Sequence, residues 1–266
     1  MSSKTEITKE NLDTYLKDLG KEFRKLNGKS IPAEIIMIGG AAILVNYGFR
    51  DMTTDVDAII HASSAMKEAI NRVRDKYNLP NGWLNADFMR TDSYTSKLDL
   101  YCKHYRTFSN VLTVRTVSAE YLVAMKLKAG RQYKHDRSDI LGILAEHKKR
   151  GEEISIDAVK TAVTNLYVSW DSLSEEMQQF IEIAFNDGNY DRLYEKVRAE
   201  EAQSKDILIE FQNDYPGVTN TDNVNDILAA MKQKRSLKEQ IENVQSRVVE
   251  STVNTKVKSK EKEYGE

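Results

Sequence analysis

Two carboxylates that share one face of a strand follow a pair of adjacent glycines in this sequence. Gly39 and Gly40 interrupt an apolar run, and Asp55 and Asp57 belong to a second run, DVDAII. Side chains two positions apart on a strand project from the same face, about 6–7 Å apart along the backbone. Like charges held this close destabilise a fold unless a cation lies between them. Oxygen-only ligands favour hard ions, so the pair predicts a Mg²⁺ site.

The glycine pair predicts a phosphate site beside these carboxylates. Backbone without side chains can approach a ligand closely, and the free N–H groups at a helix start attract anions. Arg50 and Thr54 precede Asp55 in the chain and could contact phosphate, or they could belong to an ordinary polar loop. A phosphate cradle next to a metal-binding carboxylate pair is suited to phosphoryl transfer from a nucleotide.

A third acid and a basic helix complete the candidate site. Asp99 lies in the apolar segment KLDLYC, and an inward acid on an apolar strand needs a compensating role. Lys126 and Arg131 belong to the segment AMKLKAGRQYK, where either cation could reach a triphosphate. The alternative for both cations is a solvated basic face, which is the commoner role of such charge runs.

The elements that must position these residues change in type along the chain. The hydrophobic spacing predicts a helix over 8–27 and short helices over 41–48 and 64–76, with strands over 34–38, 55–61, 97–102 and 111–117. From residue 118 onward the pattern is helical. We therefore predict an α/β or α+β unit with a small mixed sheet over 1–150, a helical domain over 151–250, and a disordered tail over 251–266.

Composition excludes several classes of protein. The net charge of −2 over 266 residues gives no global attraction to nucleic acid or to anionic membranes. A single cysteine cannot form an internal disulfide and fits a reducing compartment. The N-terminus lacks an apolar signal core and no run is long enough for a membrane span, so we predict a cytoplasmic protein without a membrane partner.

The segments GGAAILVNYGFRDMTTDVDAII and AEYLVAMKLKAGRQYKHDRSDI, with Asp99 between them, resemble the DNA polymerase β-like nucleotidyltransferase superfamily. The nearest likeness is to the minimal nucleotidyltransferases of the bacterial abortive-infection and toxin–antitoxin type. The resemblance implies a nucleoside triphosphate (NTP) donor and two Mg²⁺ ions, with Mn²⁺ as an alternative. It also implies the roles of six residues. Asp55, Asp57 and Asp99 would be both the metal ligands and the catalytic acids. The triphosphate would be bound by Gly39, Gly40 and Lys126.

Two functions of different classes follow as hypotheses. In the first, the protein moves a nucleoside monophosphate from an NTP to a hydroxyl acceptor. The acceptor stays open between a tRNA end, a protein side chain and a small molecule. In the second, the domain is catalytically inactive and binds a nucleotide or a partner protein. The C-terminal helices could contact an antitoxin or a second copy of the chain.

Overall fold

The computed structural model describes residues 6–220 and 223–236. The chain divides into two compact units, residues 1–199 and residues 200–266. The first unit holds every candidate site residue and extends past the boundary predicted near residue 150. The predicted tail over 251–266 lies outside the described residues.

The first unit is built on a five-stranded mixed sheet with the strand order β3-β2-β1-β5-β4. Strand β1 is antiparallel to β2 and parallel to β5, while β3 is parallel to β2 and β4 is antiparallel to β5. The strands are β1 (Ala33–Met37), β2 (Val56–His61), β3 (Leu84–Asn85), β4 (Cys102–Phe108) and β5 (Leu112–Val117).

Both faces of the central strands are buried, since their apolar residues alternate between two cores, whereas most of the edge strand β4 is exposed. Ile35 and Met37 of β1 face a core that includes residues of α1 (Lys9–Asn27) and α3 (Ala65–Tyr77). Ile36, on the opposite face, packs with residues of the later helices α4 (Ala119–Ala129), α5 (Asp136–Lys149), α6 (Ile156–Tyr167) and α7 (Glu175–Asp187). Near-continuous apolar strands covered on both faces are typical of α/β proteins.

The helix ends follow local sequence signals. Thr8 caps α1 through a capping box with Asn11, and Ser155 and Ser174 accept backbone N–H groups at the starts of α6 and α7. Helix α4 ends at Gly130, whose φ of +54° suits a left-handed C-terminal cap. Helix α8 spans Tyr190–Asp214, and residues 224–236 are also helical. No helix in the described ranges has both the length and the apolar character needed to cross a bilayer.

The predicted fold class is confirmed, but one predicted strand is wrong. Residues Ser96–Tyr101 form a 3₁₀ helix, and β4 begins only at Cys102. The structure buries Leu98 and leaves Leu100 75% exposed, whereas a strand would put both side chains on one face. The sequence also gave no prediction of β3, which is only two residues long, or of β4 beyond its first residue.

Candidate active site

The glycine turn lies directly against the second carboxylate. Helix α2 (Gly39–Asn46) starts at Gly39, whose φ of +54° disfavours any residue with a side chain. A Cβ added at Gly39 would lie 3.8 Å from Asp57 Oδ2. The backbone N–H of Ile38 donates to the carbonyl of Asp57 at 3.0 Å, which ties the turn to β2. The unpaired N–H groups of the first turn of α2 therefore lie beside a carboxylate.

Asp55 and Asp57 are half-buried and lie close together at the start of β2. Burial raises the pKa of the Asp57 carboxyl, and the charge of Asp55 raises it further. Lys134, Arg131 and Lys126 act in the opposite direction. Two carboxylates that disfavour each other's charge gain stability from a cation between them.

Asp99 is placed differently from the other two acids. Its Oδ2 lies 2.8 Å from Nε2 of His61, at the far end of β2, and its backbone carbonyl accepts a hydrogen bond from Arg115. Across residues 6–220 and 223–236, no three His, Cys, Asp or Glu side chains come close enough together to hold a metal ion. The structure thus brings Asp55 and Asp57 together and pairs Asp99 with a histidine.

The neighbour of Asp57 on the outer side of β2 is Asn85. The parallel ladder between β2 and β3 sets Asp57 opposite Asn85. The Asn85 side chain accepts from the N–H of Asp87 and donates to the carbonyl of Gly82, so it closes the turn after β3. A two-residue strand carries no periodicity, and its register with Asp57 comes only from the tertiary structure.

The two threonines before Asp55 have different roles. Thr53 is buried, exchanges two backbone hydrogen bonds with Ile7, and donates its hydroxyl to the carbonyl of Asp55. A Cβ at Gly40 would lie 3.0 Å from Thr53 Oγ1, so this hydroxyl borders the glycine turn. Thr54 is exposed, and its hydroxyl lies 3.4 Å from Asp55 Oδ1.

The candidate cations and two aspartates form a charge network in which positive and negative side chains alternate. Arg50 Nη1 contacts both oxygens of Asp139, at 3.0 and 2.8 Å. Lys126 Nζ lies 2.9 Å from Asp139 and 2.8 Å from Asp136. Arg131 Nε then contacts Asp136 at 2.8 Å. This charge network begins and ends with an arginine, and the lysine lies in its middle.

The inner members of this charge network are buried, which strengthens the interactions between their charges. Asp136 is fully buried, Asp139 is 3% exposed and Lys126 is 8% exposed. Burial disfavours the charge of Lys126, but the two aspartates outweigh that effect and hold its pKa above the usual 10.5. Burial likewise opposes the charge of Asp136, yet Lys126 and Arg131 keep its pKa below the usual 3.8. Lys126, Arg131 and Asp136 are therefore charged at neutral pH.

The two arginines of this charge network are more open to a ligand than the lysine is. The Lys126 ammonium has two carboxylate partners and little access to solvent, so it would have to leave them to reach a triphosphate. The Arg50 side chain is 20% exposed and the Arg131 side chain is 38% exposed, so a ligand can reach both guanidiniums. The two aspartates that link these cations have no metal-ligand or catalytic spacing, and the sequence showed them only as acids three residues apart on a helix.

The structure thus has a glycine turn at a helix start and a carboxylate pair at the beginning of the next strand, the arrangement on which the resemblance to nucleotidyltransferases was based. The comparison with known families agrees with this class, because residues 14–198 match the family described as nucleotidyltransferase of unknown function (DUF6036). This match covers more than half of the chain, which therefore belongs to that family. No curated protein and no solved structure shows significant similarity to the chain.

Proposed function

We propose that the protein is a Mg²⁺-dependent nucleotidyltransferase that transfers a nucleoside monophosphate from an NTP to an acceptor hydroxyl. The observation that carries this proposal is the position of the Asp57 carboxylate, which would lie 3.8 Å from a Cβ added at Gly39 and is therefore beside the free N–H groups of a helix start. Amide donors suit phosphate and carboxylates suit the metal that accompanies it. Membership in a nucleotidyltransferase family supports the same reading.

Asp55 and Asp57 are the residues that would hold the metal. Their mutual repulsion and the raised pKa of Asp57 are the properties expected of a site that a cation completes. Mg²⁺ typically takes one or two carboxylates together with substrate phosphates and water, so two acids suffice for one ion. Bound there, Mg²⁺ would neutralise developing charge on the phosphates. A second ion would bind only if the Asp99 carboxylate left His61 and coordinated the metal instead.

The triphosphate would lie between the glycine turn and the two arginines. The N–H groups at Gly39 and Gly40 would hold one phosphate, with Arg50 and Arg131 contributing charge-assisted hydrogen bonds from the other side. Thr54 is exposed beside Asp55 and could add a hydroxyl. Lys126 would act indirectly, since its ammonium pairs with both buried aspartates, Asp136 and Asp139, which in turn contact the two arginines.

In the proposed reaction, the oxygen of the acceptor hydroxyl bonds to the α-phosphorus and the bond from that phosphorus to the bridging oxygen of the β-phosphate breaks. Pyrophosphate leaves with the bond's electron pair, and a site carboxylate takes the hydroxyl proton. We propose Asp99 for this proton transfer, which would require the carboxylate to leave His61 and to move toward Asp57, since His61 lies four residues, about 13 Å, further along β2. The acceptor stays open between a tRNA end, a protein side chain and a small molecule, and a toxin-like or defence role belongs to the same proposal.

The test is transfer of label from each α-³²P-NTP in the presence of Mg²⁺, with total RNA or cell extract as acceptor. The expected result is label in a macromolecule, lost in Asp55→Ala and Asp57→Ala. Asp51→Ala is the matched control, because Asp51 is an exposed acid in the same loop. Transfer that survives in both site variants would refute the proposal, as would the absence of both transfer and metal-dependent NTP binding.

The position of Asp99 favours a second candidate function. Because its carboxylate is paired with His61, the domain as it stands presents two acids and not three. A domain with this arrangement could bind a Mg²⁺–nucleotide complex without transferring it. A thermal-shift series with each NTP and Mg²⁺ separates the two functions, since binding without label transfer to any acceptor would favour the second.

A further inference from the structure

We infer that helix α5 fixes Arg50 at the glycine turn and that Asp139 is the positioning residue through which it acts. The inference rests on the proposed function, in which Arg50 contacts the triphosphate. It assigns a role in nucleotide binding to a helix that contributes no ligand itself.

Helix α5 runs antiparallel along residues 46–50, the segment that connects α2 to the loop before β2. Near its C-terminal end, Arg150 Nη2 donates to the carbonyl of Asn46 at 3.1 Å. One turn earlier, His147 Nε2 lies 3.2 Å from the hydroxyl of Tyr47. Near its N-terminal end, Asp139 contacts Arg50. Successive positions of one helix face thus contact successive residues of the segment.

In the middle of the contact between α5 and residues 46–50, the packing requires a glycine at position 142. A Cβ at Gly142 would lie 2.6 Å from Cε2 of the Phe49 ring, far inside the normal contact distance. That ring is itself confined between Tyr47 and Tyr194, with ring centroids 5.7 Å away on each side. Phe49 can therefore lie flat on α5 only because residue 142 has no side chain. Since Phe49 precedes Arg50, this packing also sets the path of the backbone that carries the guanidinium.

Asp139 and Gly40 then restrict the guanidinium from two sides. Arg50 Nη1 contacts both Asp139 oxygens, and Nε donates to the carbonyl of Met52 at 3.2 Å. A Cβ at Gly40 would lie 3.1 Å from Nη2, so the guanidinium occupies the space that a side chain at residue 40 would fill. Within the described chain Nη2 makes no hydrogen bond, and it is the nitrogen next to the helix start.

This geometry differs from that of an ion pair that only stabilises the fold. The Arg50 side chain stays 20% exposed while Asp139 is almost fully buried. A ligand can therefore approach the arginine but not the aspartate. Preorganising a charged donor in this way increases affinity, because the side chain loses little freedom when the ligand binds.

The experiment is a double-mutant cycle on the full chain, with Kd for Mg²⁺–NTP and for inorganic triphosphate measured by calorimetry. We expect Arg50→Ala and Asp139→Asn each to weaken both affinities about tenfold or more. The double variant should be no weaker than Arg50→Ala alone, because Asp139 acts through Arg50. The affinity for Mn²⁺ without nucleotide should not change. A purely structural role of Asp139 would not produce this difference between nucleotide affinity and Mn²⁺ affinity.

Asp191→Asn is the matched control, since Asp191 is an exposed acid whose partner, Lys149, also belongs to α5. Gly142→Ala gives an independent test: it should weaken triphosphate binding by displacing Phe49, while circular dichroism stays unchanged. Additive losses in the cycle, or unchanged Kd values in Asp139→Asn, would overturn the inference while leaving the proposed function intact. Wild-type protein that binds neither nucleotide nor triphosphate would overturn both.

Discussion

Lys126 and Asp136 form a buried ion pair, with Nζ 2.8 Å from Oδ1, in which the aspartate has no solvent exposure. The pair joins the end of α4 to the start of α5. It lies between Arg50 and Arg131 in the charge network. Buried charges must be paired and hydrogen-bonded, and here each charge has two partners of opposite sign. The consequences for stability can be measured without knowing the substrate.

We expect Lys126→Met to lower the free energy of unfolding by about 3–5 kcal/mol, because it leaves two buried aspartates without their shared cation. Urea denaturation monitored by circular dichroism measures the change. Lys149→Met is the control, since the Lys149–Asp191 pair is exposed and its loss should change stability little. Equal effects of the two substitutions would contradict the burial argument.

Asp57→Asn should separate stability from metal binding. Burial and the neighbouring Asp55 raise the pKa of Asp57, so ionised Asp57 is less favourable in the folded protein than in the unfolded chain. We expect the amide to raise the free energy of unfolding of the metal-free protein by up to about 1 kcal/mol. It should also abolish any rise in melting temperature on adding Mg²⁺. Asp51→Asn should change neither quantity, and a Mg²⁺ response retained in Asp57→Asn would argue against this metal site.

Asp18 should give stability a specific pH dependence. Burial would raise its pKa, but hydrogen bonds from Lys21, Lys76 and Tyr77 outweigh that effect and lower the pKa from the usual 3.8. A lowered folded-state pKa means that ionised Asp18 stabilises the fold above about pH 4 and that this contribution is lost as pH falls through the folded-state pKa.

Asp18→Asn should therefore lower the free energy of unfolding by about 1–3 kcal/mol at pH 7. The difference from wild type should shrink steadily below pH 4. Denaturation curves at several pH values measure both effects. A wild-type-to-variant difference that stays constant down to pH 2 would show that the ionised carboxylate is not the source.

Val168 is expected to be a strained position. It follows α6 with φ +74° and ψ −42°, and the N–H of Ser169 donates to the carbonyl of Tyr167 across it. This is a γ-turn with positive φ, which is unfavourable for a β-branched residue. The side chain is 77% exposed and contributes little burial. Val168→Gly should raise the free energy of unfolding by about 1 kcal/mol, whereas Val168→Ala, which keeps the Cβ, should recover only a small part of it.

The glycine turn offers a matched comparison of two glycines that bracket α2. Gly39 has φ +54°, so Gly39→Ala should lower the free energy of unfolding by about 1 kcal/mol although space is available for the methyl group. Gly48 has neither a positive φ nor a close neighbour, so Gly48→Ala should be neutral or slightly stabilising. Thermal and urea denaturation rank the two variants, and the reverse order would contradict the conformational argument.

Much of the first unit was predictable because its signals are local. The apolar spacing of α1, its Thr8 cap, and the runs that became β1, β2 and β5 each depend on neighbours a few residues away. The glycine turn and the two aspartates could be placed on a helix start and a strand for the same reason. Asp99 could not, because alternation of apolar residues in KLDLYC fits a strand although Leu98 alone is buried.

The sequence by itself determined the local chemistry of this protein: a glycine turn with free amides, two acids at the start of one strand, and cations in and just after a later helix. Only the tertiary structure decided which of these groups meet. It paired Asp99 with His61, enclosed Lys126 between two aspartates, and left Arg50 next to Gly40. Spacing along a strand or helix follows from backbone geometry, but contacts between distant segments depend on how both faces of the sheet are packed.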